Sequence, residues 1–177
     1  MIVRGIEHIG LTVSDLPAAE QFFINALGAS VLYRIVPSGQ PGKQVEGKDM
    51  TPLNGFPPEM KVVGLVMMRL GNGCNVELFQ IDPGVDDKAA NISQAGVNHF
   101  SIYVDDINQA GEALRRHGGE MFDGPNPCFA QEEGEGNQTW FCHTPFGVLI
   151  ELITLPSSLH YDKEATDVRW LPDSTAP

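Results

Sequence analysis

The stretch GIEHIGLTVSDL at residues 5–16 is answered at residues 96–107 by GVNHFSIYVDDI. His8 and His99 stand 91 residues apart (99 − 8), and the same offset joins Gly5 to Gly96, Val13 to Val104, Asp15 to Asp106, Ala19 to Ala110 and Gly28 to Gly119. Each copy alternates apolar and polar residues over the length of a strand, then sets an acidic residue ahead of an amphipathic run that glycine ends. That is the order of strand, N-cap, helix and C-cap. The spacing predicts helices over 16–27 and 107–117. Pro17 suits the opening turn of the first, where its missing N–H costs no bond, and Leu16, Ala19, Phe23 and Leu27 form its apolar stripe. Ile107, Ala110 and Leu114 do the same in the second, which Gly118 stops.

A second echo joins GCNVELFQI from Gly73 to GVLIELITL from Gly147, and it pairs Glu77 with Glu151 at an offset of 74 (151 − 77). The 17 residues lost between the two offsets (91 − 74) place an insertion in the first copy. VPSGQPGKQVEGKDMTPLNGFPPE, rich in Gly, Pro and polar residues and without a period, locates it at about 37–59. A connection this long in a compact domain is a covering loop or a binding segment. The remainder gives an α+β fold of two tandem βαβββ modules. Strands are expected near 3–13, 29–36, 60–70 and 74–81, then near 96–104, 119–123, 137–143 and 147–154. Residues 1–157 form one domain, with module one at 3–83 and module two at 94–157. The tail SSLHYDKEATDVRWLPDSTAP matches neither copy, and 158–177 reads as a C-terminal arm with Tyr161, Trp170 and Leu171 free to dock.

Composition narrows the partners. A formal charge of −12 over 177 residues repels phosphate, so neither nucleic acid nor an anionic membrane is expected. The longest apolar runs, KVVGLVMM and GVLIELITL, are too short to span a bilayer, and no basic-then-apolar leader opens the chain. A cytoplasmic protein is expected. Cys74, Cys128 and Cys142 are odd in number and lack CxxC spacing, which points to buried free thiols rather than disulfides or a structural zinc site.

Alternation puts Ile9, Leu11 and Val13 on the face of the first strand that must cover the helix, and His8, Gly10 and Thr12 on the other. The second copy sets Phe100, Ile102 and Val104 against His99, Ser101 and Tyr103. Each histidine therefore points away from the helix, among small or polar neighbours. Glu77 and Glu151 sit inside the apolar strands NVELF and LIELI, where an unpaired carboxylate costs several kcal/mol, so each needs a partner, a shifted pKa or a cation. Two imidazoles and two carboxylates on equivalent strands compose an N₂O₂ set suited to one divalent ion with open positions for water or substrate. Zn, Ni, Co, Mn, Mg and Fe all suit such a set.

EHIGLTVSDLPAAEQFFINALGA, NVELFQ, NHFSIYVDDI and FCHTPFGVLIEL together resemble the vicinal oxygen chelate superfamily over about residues 3–157. That group contains glyoxalase I, methylmalonyl-CoA epimerase, extradiol dioxygenases and antibiotic-resistance proteins. The resemblance implies modules closing into a cup-shaped mixed sheet with helices outside, and metal ligands at His8, Glu77, His99 and Glu151. It also implies a homodimer, an expectation the apolar residues of the tail share. HIG, the acidic cap and GVLIEL are most similar to methylmalonyl-CoA epimerase and to epimerases of cyclic sugar-derived ketones. Glyoxalase I commonly carries an arginine four residues after the first histidine, where this chain has Thr12. The large extradiol dioxygenases have four modules and three protein ligands.

The resemblance makes the expected activity a metal-dependent epimerase or isomerase acting on a small keto or thioester substrate. A divalent ion holding two substrate oxygens acts as a Lewis acid and stabilises the enediolate left when a proton departs beside a carbonyl. By analogy with glyoxalase I, Glu151 is the first candidate for the base. Glu59, in FPPEMKVVGL, resembles a second base of methylmalonyl-CoA epimerase. His143 in FCHTP either lines the cup, orients a ligand or sits beside a surface turn. A glyoxalase-type lyase, an Fe(II) dioxygenase and a non-catalytic drug-binding protein are the alternative readings.

Overall fold

The computed structural model describes residues 3–86, 91–93 and 95–173. The chain divides into two compact units, Met1–Asp87 and Lys88–Thr175, and each has its own five-stranded mixed sheet. The first runs β1 (His8–Thr12), α1 (Leu16–Leu27), β2 (Ser30–Val36), β3 (Val45–Glu46), α2 (Gly47–Asn54), β4 (Lys61–Arg69) and β5 (Asn75–Asp82). The second runs β6 (Phe100–Tyr103), α3 (Ile107–Arg116), β7 (Glu120–Met121), β8 (Asn126–Pro127), a 3₁₀ turn (Ala130–Glu132), β9 (Gln138–His143) and β10 (Leu149–Thr154).

The strand orders are β1-β5-β4-β2 and β6-β10-β9-β7, with β3 added to β4 and β8 added to β9. The repeat read from the sequence is thus a repeat of topology. In each unit the opening strand crosses over through the helix and returns beside the last strand in parallel, while the remaining pairs are antiparallel.

Local chemistry sets the helix ends where the sequence placed them. The Asp15 carboxylate accepts from Ala18 N at 3.0 Å and Asp106 from Gln109 N at 2.9 Å, satisfying amide groups that have no partner inside the helix. Gly28 closes α1 at φ 68°, a left-handed cap that glycine adopts without strain. The stripes differ in detail from expectation. In α1, Phe22 and Ala26 are buried along with Leu16, Ala19 and Phe23, while Leu27 is only half-buried. In α3 the middle buried position is Gly111 rather than Ala110. The reason is Trp140 of β9: a Cβ on Gly111 would stand 2.4 Å from its ring. That indole is held by its own N–H, which donates to Phe122 O at 2.7 Å, and by the Arg115 guanidinium 4.8 Å from the ring centre.

Each helix covers one face of its own sheet. Val66, Met68, Val76 and Leu78 in the first unit, and Leu114, Trp140, Ile150 and Leu152 in the second, are 3 % exposed or less. Residues at odd positions of β5 and β10, Glu77 and Glu151 among them, project to the opposite face. Cys128 and Cys142 are buried and Cys74 half-buried, all as free thiols. Burial pushes the Cys142 thiol up to about 11.

The insertion, expected as a loop without a period, carries β3 and α2. Val45, Met50 and Phe56 pack against the Val36, Val62 and Leu65 cluster, which Phe79 and Ile81 also join. Gly47 lies so close to the chain's return that a Cβ would come 2.2 Å from Pro57 O. Thr51 Oγ1 donates to Gly47 O at 2.9 Å and to Phe56 O at 2.8 Å. An eight-residue helix with Pro52 inside it and a mostly polar surface leaves no periodic signature to read. The first strand is also shorter than expected: β1 begins at His8, and ahead of it Glu7 O accepts from Asn75 N at 2.9 Å. Part of the C-terminal arm is tied down. Leu159 packs on the Cys128, Ile153 and Leu155 cluster, His160 N donates to Gln131 O at 2.8 Å, and Arg169 pairs with Glu132. Trp170 stays 68 % exposed.

Gly111→Ala tests the packing. At an open helix position the change gains about 1 kcal/mol of helix propensity. Against Trp140 it overpacks, at a cost of about 1–3 kcal/mol. A lowered melting temperature is expected, and a raised one contradicts the close approach of α3 to β9.

Candidate functional site

The register of the parallel pairs builds an equivalent histidine–glutamate pair in each unit. In the first unit His8 lies beside Asn75 and Gly10 beside Glu77 on β1 and β5. In the second, Ser101 lies beside Glu151 on β6 and β10, with His99 just ahead of β6. One residue separates each histidine from the partner of its glutamate, so imidazole and carboxylate emerge on the same face about two residues apart. His8 Nε2 stands 3.5 Å from Glu77 Oε2, and His99 Nε2 stands 3.9 Å from Glu151 Oε2. The carboxylates are 15 % and 14 % exposed, while the imidazoles stay more open at 42 % and 31 %. The concern raised by a carboxylate in an apolar strand is met in each unit by the equivalent histidine, His8 for Glu77 and His99 for Glu151.

The other ring nitrogen is engaged in both copies. His8 Nδ1 contacts Glu7 Oε2 at 2.5 Å, and His99 Nδ1 contacts Asn98 Oδ1 at 2.6 Å. An oxygen at Nδ1 favours the proton there and leaves the Nε2 lone pair free. The Glu7 side chain is held in turn by Asn75 Nδ2, at 2.7 Å from Oε1. The hydrogen bond with Glu7 raises the His8 pKa above the usual histidine range, with the charges of Glu77 and Glu7 adding to it against desolvation. Glu7 is shifted down by its hydrogen bonds with His8 and Asn75. Glu7 and Asn98 are a further pair at the 91-residue offset, a signal the sequence carried but that the histidines overshadowed.

The donor set fits a divalent cation. Two ligands about 2.1 Å from one ion and about 110° apart lie about 3.4 Å from each other, and the observed imidazole-to-carboxylate separations are close to that value. Imidazole and carboxylate with an oriented second nitrogen are ligands for Zn, Mn, Fe, Co or Ni. Among the described residues no group of three or more His, Cys, Asp or Glu side chains gathers in one place, so each unit offers a pair.

The two pairs differ around the carboxylate. Glu151 takes hydroxyl donors on both oxygens, from Ser101 to Oε2 and from Thr139 to Oε1. The equivalent positions near Glu77 are Gly10, its neighbour on β1, and Leu65, two residues before its partner Met67. Neither carries a hydroxyl. Phe141, the β9 partner of Glu151, packs edge-on against His99 with ring centres 5.4 Å apart. One step along the same face, about 6.6 Å away, Tyr103 pairs with Ile153 and, like Leu159 of the arm, packs on the Cys128, Ile153 and Leu155 cluster.

The remaining expected residues lie elsewhere. Glu59 is exposed in the turn before β4, eight positions from Met67, the partner of Glu77. That is roughly 25 Å of strand, so the structure does not bring Glu59 to the His8–Glu77 pair. His143 ends β9, half-buried on the face that carries Thr139 and Phe141, and meets Phe122 edge-on with ring centres 5.1 Å apart. Ser101 and Thr139 are the site residues that sequence reading missed, since a hydroxyl in a strand carries no signal until its register is known.

No helix among the described residues is long and apolar enough to cross a membrane. The chain is 28 % identical over 165 residues to a 2-epi-5-epi-valiolone epimerase from Actinomyces sp, covering 93 % of this chain and 86 % of that protein. Its fold is similar to a glyoxalase family protein from Bacillus cereus, with a TM-score of 0.66, 20 % identity, and 87 % and 97 % of the two chains covered. It is also similar, with a TM-score of 0.51 and 16 % identity over 86 % and 90 % of the chains, to a variant of the fosfomycin resistance protein FosX from Listeria monocytogenes. That variant is complexed with Mn(II) and 1S,2S-dihydroxypropylphosphonic acid. The sequence model of the Glyoxalase/Bleomycin resistance protein/Dioxygenase superfamily matches residues 7–153, and the chain, with its duplicated modules, belongs to that superfamily.

Proposed function

We propose that this chain is a metal-dependent epimerase of a small oxygenated ketone, with His8, Glu77, His99 and Glu151 as the ligands of one divalent ion. The observation that carries the reading is the duplicated pair: one imidazole and one carboxylate, in the same register and with the same oriented Nδ1, in each unit. Each pair supplies half of what a divalent ion takes from protein. The epimerase relative supports the reaction type.

When bound, a divalent ion supplies Lewis acidity toward substrate oxygens. The chain's own residues do the rest. Glu7 and Asn98 keep both Nε2 atoms available, and the apolar strands around Glu77 and Glu151 keep the carboxylates from being fully hydrated. One carboxylate takes the proton from the carbon beside the carbonyl, and return of a proton to the opposite face inverts that centre. Phe141 packs edge-on against His99 beside the second pair. The substrate expected from the relative's name is 2-epi-5-epi-valiolone or a close cyclic ketone.

The test is solvent exchange. In D₂O with Mn(II), conversion of 2-epi-5-epi-valiolone to an epimer is expected, with deuterium entering at the inverted carbon and activity abolished by EDTA. His8→Ala and His99→Ala are each expected to lose more than the roughly 10–100-fold that removing a merely supporting partner costs. Turnover unaffected by EDTA, or an inverted product without deuterium, contradicts the reading.

A pH prediction concerns the metal-free protein. His8 is raised in the folded state, so its contribution to stability is fully present below the unfolded value of about 6.5. It is lost as pH rises through the higher folded value. Glu7→Gln removes the largest cause and is expected to lower the His8 titration midpoint followed by NMR. An unchanged midpoint contradicts the assignment of Glu7 as the cause.

A further inference from the structure

The structure assigns Ser101 and Thr139 as positioning residues that lock Glu151, which makes Glu151 the fixed carboxylate of the site and Glu77 the one free to shift. This rests on the metal site proposed above. Ser101 is the direct cross-strand neighbour of Glu151 on β6, and Thr139 lies on β9 two residues from its partner Phe141. Both hydroxyls donate to the carboxylate, one to each oxygen. A carboxylate with an O–H on each oxygen has its rotation about the last side-chain bond fixed and part of its lone-pair capacity already used.

The first unit lacks both donors. The same register positions hold Gly10 and Leu65, and a Cβ at Gly10 would meet only the edge of Phe79, at 3.6 Å. The space beside Glu77 is therefore lined by a glycine and apolar groups, with the His8 imidazole as its polar neighbour. Two copies of one plan have diverged at the contacts that decide how firmly a carboxylate is held. Such divergence divides labour: a ligand that keeps its place and one that can swing toward substrate. It holds Glu151, the first candidate for the base by analogy with glyoxalase I, in place and leaves that role to Glu77.

Calorimetric titration of the full-length, metal-free protein with Mn(II) alone tests the assignment. Ser101→Ala/Thr139→Val is expected to weaken binding by about 10–100-fold, the cost of losing outer-shell partners. Ser101→Thr and Thr139→Ser keep the hydroxyls and are expected to stay within about threefold of wild type. Glu151→Gln is expected to weaken binding more than Glu77→Gln. The single variant Ser101→Ala, a small change at an exposed strand position, keeps the test open if the double variant does not fold. Wild-type affinity in folded Ser101→Ala/Thr139→Val or in Ser101→Ala, or a larger loss from Glu77→Gln, overturns the locking of Glu151. Wild-type affinity in Glu77→Ala/Glu151→Ala instead overturns the metal site itself, and with it this inference.

Discussion

A carboxylate in the middle of an apolar strand is the constraint on which the rest of this molecule turns. Glu77 and Glu151 interrupt strands whose neighbouring residues, Val76 and Leu78 or Ile150 and Leu152, are fully buried against the helices. A side chain at such a position is withdrawn from water by the backbone it belongs to, and an uncompensated charge there costs several kcal/mol. The compensation comes from the one strand that lies parallel to it. Because the opening strand of each unit returns beside the last, a histidine two residues upstream of the glutamate's neighbour reaches the carboxylate. Topology and charge are thus a single problem with a single solution, and that solution occurs twice.

The repeat was legible because it is written in local chemistry. Asp15 and Asp106 cap their helices, Gly28 ends the first one, and alternation fixes which face carries His8 and His99. None of this needs knowledge of distant contacts. That each histidine meets the glutamate of its own unit depends on the parallel register of the opening and last strands, and is visible only there. Features that depend on what lies across the sheet were harder. Gly111 reads as a defect in a helix until Trp140 is seen against it. The hydroxyls of Ser101 and Thr139 mean nothing until register sets them beside Glu151. The helix of the insertion is held by Met50, Phe56 and Thr51 contacts rather than by periodicity.

Segments outside the repeat perform similar packing in the two units. Phe79 and Ile81 belong to a cluster that the insertion completes with Val45, Met50 and Phe56. Ile153 and Leu155, at the equivalent positions, belong to a cluster completed by Cys128, Tyr103 and Leu159 of the arm. A sheet face that carries a polar pair at one end must still bury its apolar end. Each unit recruits whatever chain is available to do so. The field of Glu151, with that of Glu132, adds to burial in raising the Cys128 thiol, consistent with this packing approaching the polar pair.

The central proposal is that His8 and His99 are both ligands of one ion. Pulsed electron paramagnetic resonance of the Mn(II)-loaded protein measures it directly, because directly bound imidazole nitrogens couple to the metal electron spins. The account predicts couplings from two histidines, one removed by His8→Ala and the other by His99→Ala. A spectrum with fewer than two, or one that neither substitution changes, contradicts it.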